Sequence, residues 1–195
     1  MEILEKLFGS QAKVKIMRLF IYNPEAVYDP RGVATKSKTK IEVVRRELNS
    51  LQKAGLAKRR VVSYKGKKIN GWTIDSSFQY LKPLQELLTH MGPLTHQELI
   101  KRLSKTARVK LVVVSGVFSQ QWDGRIDLLI VGDRINKTLL SSTLRTLEAE
   151  IGKDLQYAAL ETADFQYRLG IGDKLIRDVF DYPHEVVLDK IGLSH

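Results

Sequence analysis

The chain has 195 residues, 43% hydrophobic and 28% charged, an ordinary composition for a protein that folds in water around one or two cores. It carries 32 Lys and Arg against 22 Asp and Glu and no cysteine, which excludes disulfides, thiolate metal sites and cysteine nucleophiles and fits a reducing, cytoplasmic setting. Its start, MEILEKLFGSQAKVK, holds acidic residues and no long apolar run, so neither a secretory signal nor a membrane span is expected.

The excess charge lies at one end. Residues 1–75 hold 17 Lys and Arg against 7 Asp and Glu, whereas residues 76–195 hold 15 of each. A basic segment attracts a polyanion and a neutral one does not, so this split predicts two modules with different partners.

Val14, Met17, Leu19, Phe20 and Ile21 recur at helical spacing, with Lys13, Lys15 and Arg18 among them, and Asn23-Pro24 ends that first helix. Tyr28-Asp29-Pro30 reads as a turn and residues 31–36 as a short second helix. A third opens at Lys38-Thr39-Lys40-Ile41-Glu42, where Thr39 and Glu42 have the spacing of a capping box. In it Ile41, Val44, Leu48 and Leu51 form an apolar stripe; Lys40, Arg46, Asn49 and Lys53 take the opposite side, with Arg45 on the flank. Gly55 is the expected C-terminal cap. Residues 56–63 then read as a strand, Tyr64-Lys65-Gly66-Lys67-Lys68 as a turn and residues 69–74 as a returning strand. Three helices followed by a basic hairpin is the pattern of a winged helix-turn-helix.

The run VRRELNSLQKAGLAKRR, residues 44–60, resembles the recognition helix and wing entry of ArsR-like and MarR-like transcriptional regulators, and the resemblance spans about residues 8–75. It implies a helix in the major groove of double-stranded DNA, with the wing along the backbone or in the minor groove. Lys38, Thr39, Lys40, Arg45 and Arg46, near the N-terminal half of the third helix where side chains and helix dipole meet a duplex together, are then candidate groove contacts, with Asn49 further along the same helix. Lys58, Arg59, Arg60, Lys65, Lys67 and Lys68 are candidates for neutralising phosphates without reading bases. Taken singly, each is also what a solvated face looks like; the set is distinguished by its concentration on one helix and one hairpin.

In residues 76–107, Leu81, Leu84, Leu87, Leu88 and Met91 form one helical stripe, broken at Gly92-Pro93, and Thr95 opens a second through Leu99, Ile100 and Leu103. Such stripes pack on a neighbouring domain or form a homodimer interface, and spacing alone does not choose.

From Val109 strands alternate with helices: LVVVSGVF, RIDLLIVGD, a helix over residues 137–151, DLQYAALE and a helix near residues 173–180. The segment Ser115-Gly116-Val117-Phe118, followed by Arg125-Ile126-Asp127-Leu128, resembles the minimal nucleotidyltransferase fold. So does the stretch from Glu161 to Leu169 leading to Pro183-His184-Glu185, which looks like the tail of nucleotidyltransferase-like proteins fused to winged helices. In active members a Gly-Ser turn grips nucleotide phosphates and an Asp-x-Asp strand holds two metal ions. Here Val117 stands in place of the Ser and Arg125 in place of the first Asp. Only Asp127 of the pair is present, and a guanidinium repels the cations it would replace a ligand for. The third strand, residues 155–160, has carboxylates only at its ends, Asp154 and Glu161.

Two-metal catalysis is therefore not expected, and Asp127 reads as a polar residue satisfied by Arg125 or a backbone donor. His90, His96, His184 and His195 lack ligand spacing, so no metal or cofactor is indicated. The whole predicts an α+β protein: a winged helix (1–75), a helical connector (76–107) and an inactive nucleotidyltransferase-like domain (108–195). The expected function is DNA-binding transcription regulation, as a homodimer away from membranes, with the degenerate domain as sensor or assembly module; Gly116, Arg125 and Asp127 are the candidate pocket should a small-molecule or nucleotide effector bind there. The rival is an active nucleotidyltransferase targeted by its winged helix.

Overall fold

A computed structural model of the chain describes residues 3–64, 67–90, 94–119 and 126–193, a mixed α+β structure with two sheets. These residues fall into two units: 1–93 with 146–153, and 94–145 with 154–195.

The first unit opens with α1 (Ile3–Phe8), a helix too short for periodicity to reveal, and α2 (Gln11–Tyr22). Ser10 caps α2 by accepting the Lys13 N–H at 3.2 Å. Asp29 caps α3 (Pro30–Ser37) by accepting from Gly32 at 2.8 Å, and Pro30 takes the first position, where a missing N–H costs nothing. Lys38 then turns the chain in a left-handed conformation (φ 48°) into α4 (Ile41–Lys53).

The Thr39–Glu42 capping box does not form. Lys40 is the residue that precedes the helix, one position too late for the box, and no side chain caps α4. The Thr39 hydroxyl instead donates to the Ser37 carbonyl at 3.2 Å. At the other end Gly55 does cap, at φ +81°: Leu56 N–H bonds Leu51 O at 3.0 Å and Gly55 N–H bonds Gln52 O at 2.9 Å, the paired bonds of a Schellman turn.

Strands β1 (Ala57–Tyr64) and β2 (Lys67–Ile74) pair antiparallel with Ala57 opposite Ile74. The tip residues Lys65 and Gly66 lie outside the described residues. Tyr28, expected only as part of a turn, forms a bridge to β2: its N–H donates to Trp72 O at 3.0 Å and its carbonyl accepts from Trp72 N at 2.8 Å. Gly71 makes this possible, since a Cβ there would lie 2.5 Å from Val27 Cγ1 and 3.0 Å from Tyr28 O.

Val14, Phe20, Val33, Val44, Leu48, Leu51 and Trp72 share the core of this unit with Leu88 of α5 (Leu81–His90). Arg18, grouped with the lysines by spacing, is buried instead, and its Nε donates to the Leu88 carbonyl at 3.2 Å. A buried guanidinium persists because it satisfies carbonyls that a helix end leaves free. The expected break at Gly92-Pro93 lies outside the described residues.

The second unit contains α6 (His96–Leu103), capped by Thr95, then β3 (Arg108–Ser115), β4 (Leu128–Asp133) and α7 (Lys137–Ile151), whose residues from 146 on count with the first unit. There follow β5 (Tyr157–Glu161), α8 (Thr162–Gly170), α9 (Lys174–Phe180) and β6 (His184–Asp189). The strand order is β5-β4-β3-β6, with β4 antiparallel to β3 and parallel to β5, and β6 antiparallel to β3. Leu111, Val113, Leu129 and Val131 face Phe165, Ile176 and Val179 of α8 and α9, while α6 packs on β3 and β6. Both faces of the two central strands are covered, hence their nearly unbroken apolar runs.

The third strand begins at Tyr157, two residues later than expected, and α8 and β6 fill a stretch that periodicity left unassigned.

Candidate nucleic-acid interface

Helix α4 turns Val44, Glu47, Leu48 and Leu51 inward and leaves Arg45, Arg46, Asn49 and Lys53 exposed. Glu47 explains part of that orientation: it is buried, accepts from Ser10 Oγ at 2.8 Å and lies 3.6 Å from Lys13 Nζ, tying α4 to the start of α2. Arg45 and Asn49, four residues apart, share one side of the helix. The facing wall comes from the hairpin, where Arg59 and Trp72 are cross-strand partners. The Arg59 guanidinium lies 5.1 Å from the centre of the Trp72 ring, a cation–π contact that fixes the charge while leaving it exposed.

Between these walls lies a groove of about 340 Å³ lined by Arg45, Asn49, Arg59, Asn70 and Trp72, together with Pro30, Leu48 and Gly71. The structure thus brings together three of the sequence candidates, Arg45, Asn49 and Arg59. It adds Asn70 and Trp72, which charge counting passes over; the signal available was the Asn-Gly-Trp run, since a glycine inside a strand marks a close approach.

The other candidates are arranged differently. Lys40 and Arg46 are exposed outside the groove, and Arg46 Nη2 lies 3.9 Å from Glu47. Thr39 is half-buried, and Lys38 Nζ donates to Thr146 Oγ1 at 2.7 Å. Strand alternation puts Lys68 on the face of Asn70 and Trp72, and Arg60 with Lys58 on the other. Lys65 and Arg125 lie outside the described residues, as does the side chain of Lys67.

Lys58 is occupied: its Nζ lies 3.0 Å from Asp75 Oδ1. The Ser77 hydroxyl, donating at 2.7 Å, and then Lys58 hold the Asp75 carboxyl down at about 2, against an ordinary 3.8. A depressed carboxyl stabilises the fold above its ordinary value and loses that contribution as pH falls from about 4 through 2. We expect an NMR titration of Asp75 to show a midpoint near 2, and Ser77→Ala to raise it; a wild-type midpoint near 3.8 would contradict the arrangement.

No family model, curated protein or solved structure matches this chain.

In the second unit, Gly116 and Asp127, two of the residues likened to a nucleotide site, meet at the turn after β3. Asp127 is 5% exposed; its Oδ1 accepts the Val117 N–H and its Oδ2 the Gln156 N–H, each at 2.9 Å. The carboxylate ties the turn after β3 to the approach of β5. Gly116, at φ +54°, passes directly over it, and a Cβ there would lie 2.2 Å from Asp127 Oδ1. Val117, where the resemblance would place a phosphate-gripping Ser, is buried. Each Asp127 oxygen serves one backbone donor, and among the described residues no group of three His, Asp or Glu converges. His96 lies 3.3 Å from Glu185, and His184 Nδ1 is 2.8 Å from Tyr182 O. No helix among the described residues is long and apolar enough to cross a membrane.

Proposed function

We propose that this chain is a DNA-binding transcriptional regulator, in which a winged helix-turn-helix at residues 1–75 reads duplex DNA and a nucleotidyltransferase-like domain at residues 108–195 serves as sensor or assembly module without turnover. One observation carries the reading: a helix side and a hairpin face present Arg45, Asn49, Arg59 and Asn70 to one groove, within a segment of net charge +10. Arg and Asn are the side chains suited to bidentate contacts with guanine and adenine edges. The surrounding Lys40, Arg46, Arg60 and Lys68 are suited to phosphates, whose neutralisation supplies most sequence-independent affinity. The α3–turn–α4 geometry, the Tyr28 bridge to the hairpin and the uncapped start of α4 are consistent with this reading.

The mixed sheet with β4 between β3 and β5 supports the nucleotidyltransferase likeness, and the engaged Asp127 supports the absence of catalysis. For an effector at Gly116 and Asp127 the structure offers only a carboxylate that already accepts two backbone N–H groups.

Selection from a random duplex library, followed by anisotropy titration, tests the assignment. Arg45→Ala is expected to cost about 1–3 kcal/mol on the selected duplex and much less on a random one, while Lys68→Ala weakens both alike. Equal losses on both duplexes for Arg45→Ala would contradict a base-reading role.

A further inference from the structure

The C-terminal unit exposes apolar side chains at the end of α8, beside a groove floored by residues of its own core. At the end of α8, Tyr167 is 67% exposed and Ile171 59%, and Leu169 between them is also exposed. Next to them runs a groove of about 420 Å³, lined by Leu169, Ile176, Phe180 and Leu193 together with the exposed Arg177 and Asp181. Arg168 nearby is tied to Asp164 at 2.9 Å and Asp173 at 3.6 Å. Arg177 and Asp181 are not: although they sit four residues apart at the end of α9, among the described residues neither has an ion-pair partner.

An apolar centre bordered by one free cation and one free anion is matched by few surfaces. A basic partner would leave Arg177 facing like charge, and an acidic one would do the same to Asp181. A second copy of the same face, turned by a two-fold axis, satisfies both, because in such a contact residue i meets j and j meets i. Residues 76–195 are neutral, so copies brought together here do not repel one another as the basic segment would. We infer that this α8–α9 face is where two copies of the chain associate, Arg177 of each meeting Asp181 of the other across the joined apolar grooves. The inference does not rest on the duplex reading, and its test uses no DNA.

Sedimentation equilibrium of the full chain from micromolar to submillimolar concentration is expected to show a monomer–dimer equilibrium. R177D sets carboxylates face to face and D181R sets guanidinium groups face to face, so each alone should raise the dissociation constant about tenfold. The double exchange R177D/D181R restores the opposite-charge pairs and should return the constant to near its wild-type value, which a variant merely damaged in folding would not do. A wild-type chain monomeric throughout, dimerisation indifferent to the single exchanges, or a double exchange no tighter than the singles would each overturn the inference.

Discussion

Asp127→Asn is expected to destabilise the C-terminal unit by about 3 kcal/mol, although the two side chains have nearly the same shape. Each carboxylate oxygen now accepts a backbone N–H, from Val117 and from Gln156. In the amide, one of those positions becomes NH₂, which sets donor against donor in a site too buried for water to relieve. Denaturant unfolding together with hydrogen exchange at the Val117 and Gln156 amides measures the loss. The substitution also separates two roles for the residue. A carboxylate held for metal chemistry commonly costs stability, so its amide would leave the fold unchanged or firmer; that result would favour the rival reading, in which Asp127 holds a metal.

Gly71→Ala is expected to cost about 2 kcal/mol, the range for forcing a methyl group into a packed site, and to weaken duplex binding together with stability. The added Cβ would meet Val27 Cγ1 at 2.5 Å and the Tyr28 carbonyl at 3.0 Å. Relief requires β2 to move away from residues 27–28, which breaks the two Tyr28–Trp72 hydrogen bonds. Trp72 carries Arg59 and lines the groove, so the same movement displaces the wall opposite α4. Gly170→Ala is the matched control: nothing lies within 4 Å of its Cβ, and replacing a helical glycine there should be neutral or slightly stabilising. Melting curves and duplex titrations of the two variants check both expectations; a Gly71→Ala chain as stable as wild type would remove the bridge from the account.

Periodicity located what periodicity encodes. The apolar stripe of Val44, Leu48 and Leu51 gives α4 its buried side, and the boundaries of α7 were legible because its pattern is long. Asp29 and Thr95 start helices as their side-chain chemistry suggests, yet Thr39, with the same chemistry, does not. Capping spacing says which residues could cap, whereas the left-handed Lys38 decides where the helix begins.

Long-range pairings were not legible. The Tyr28–Trp72 bridge joins residues far apart in the chain and has no local pattern. Arg18 looks like its lysine neighbours until tertiary packing buries it. At the candidate interface, charge counting found Arg45 and Arg59, but the groove between them depends on the hairpin folding back toward α4, which no single segment encodes.

The central claim, that the basic N-terminal segment binds duplex DNA through phosphate neutralisation and groove contacts, is tested most directly by titrating the full chain with duplex across a range of salt concentrations. A log–log plot of affinity against salt is expected to fall linearly with a slope of magnitude about 5, corresponding to roughly five or six neutralised phosphates. A flat plot, or no binding at low salt, would contradict it.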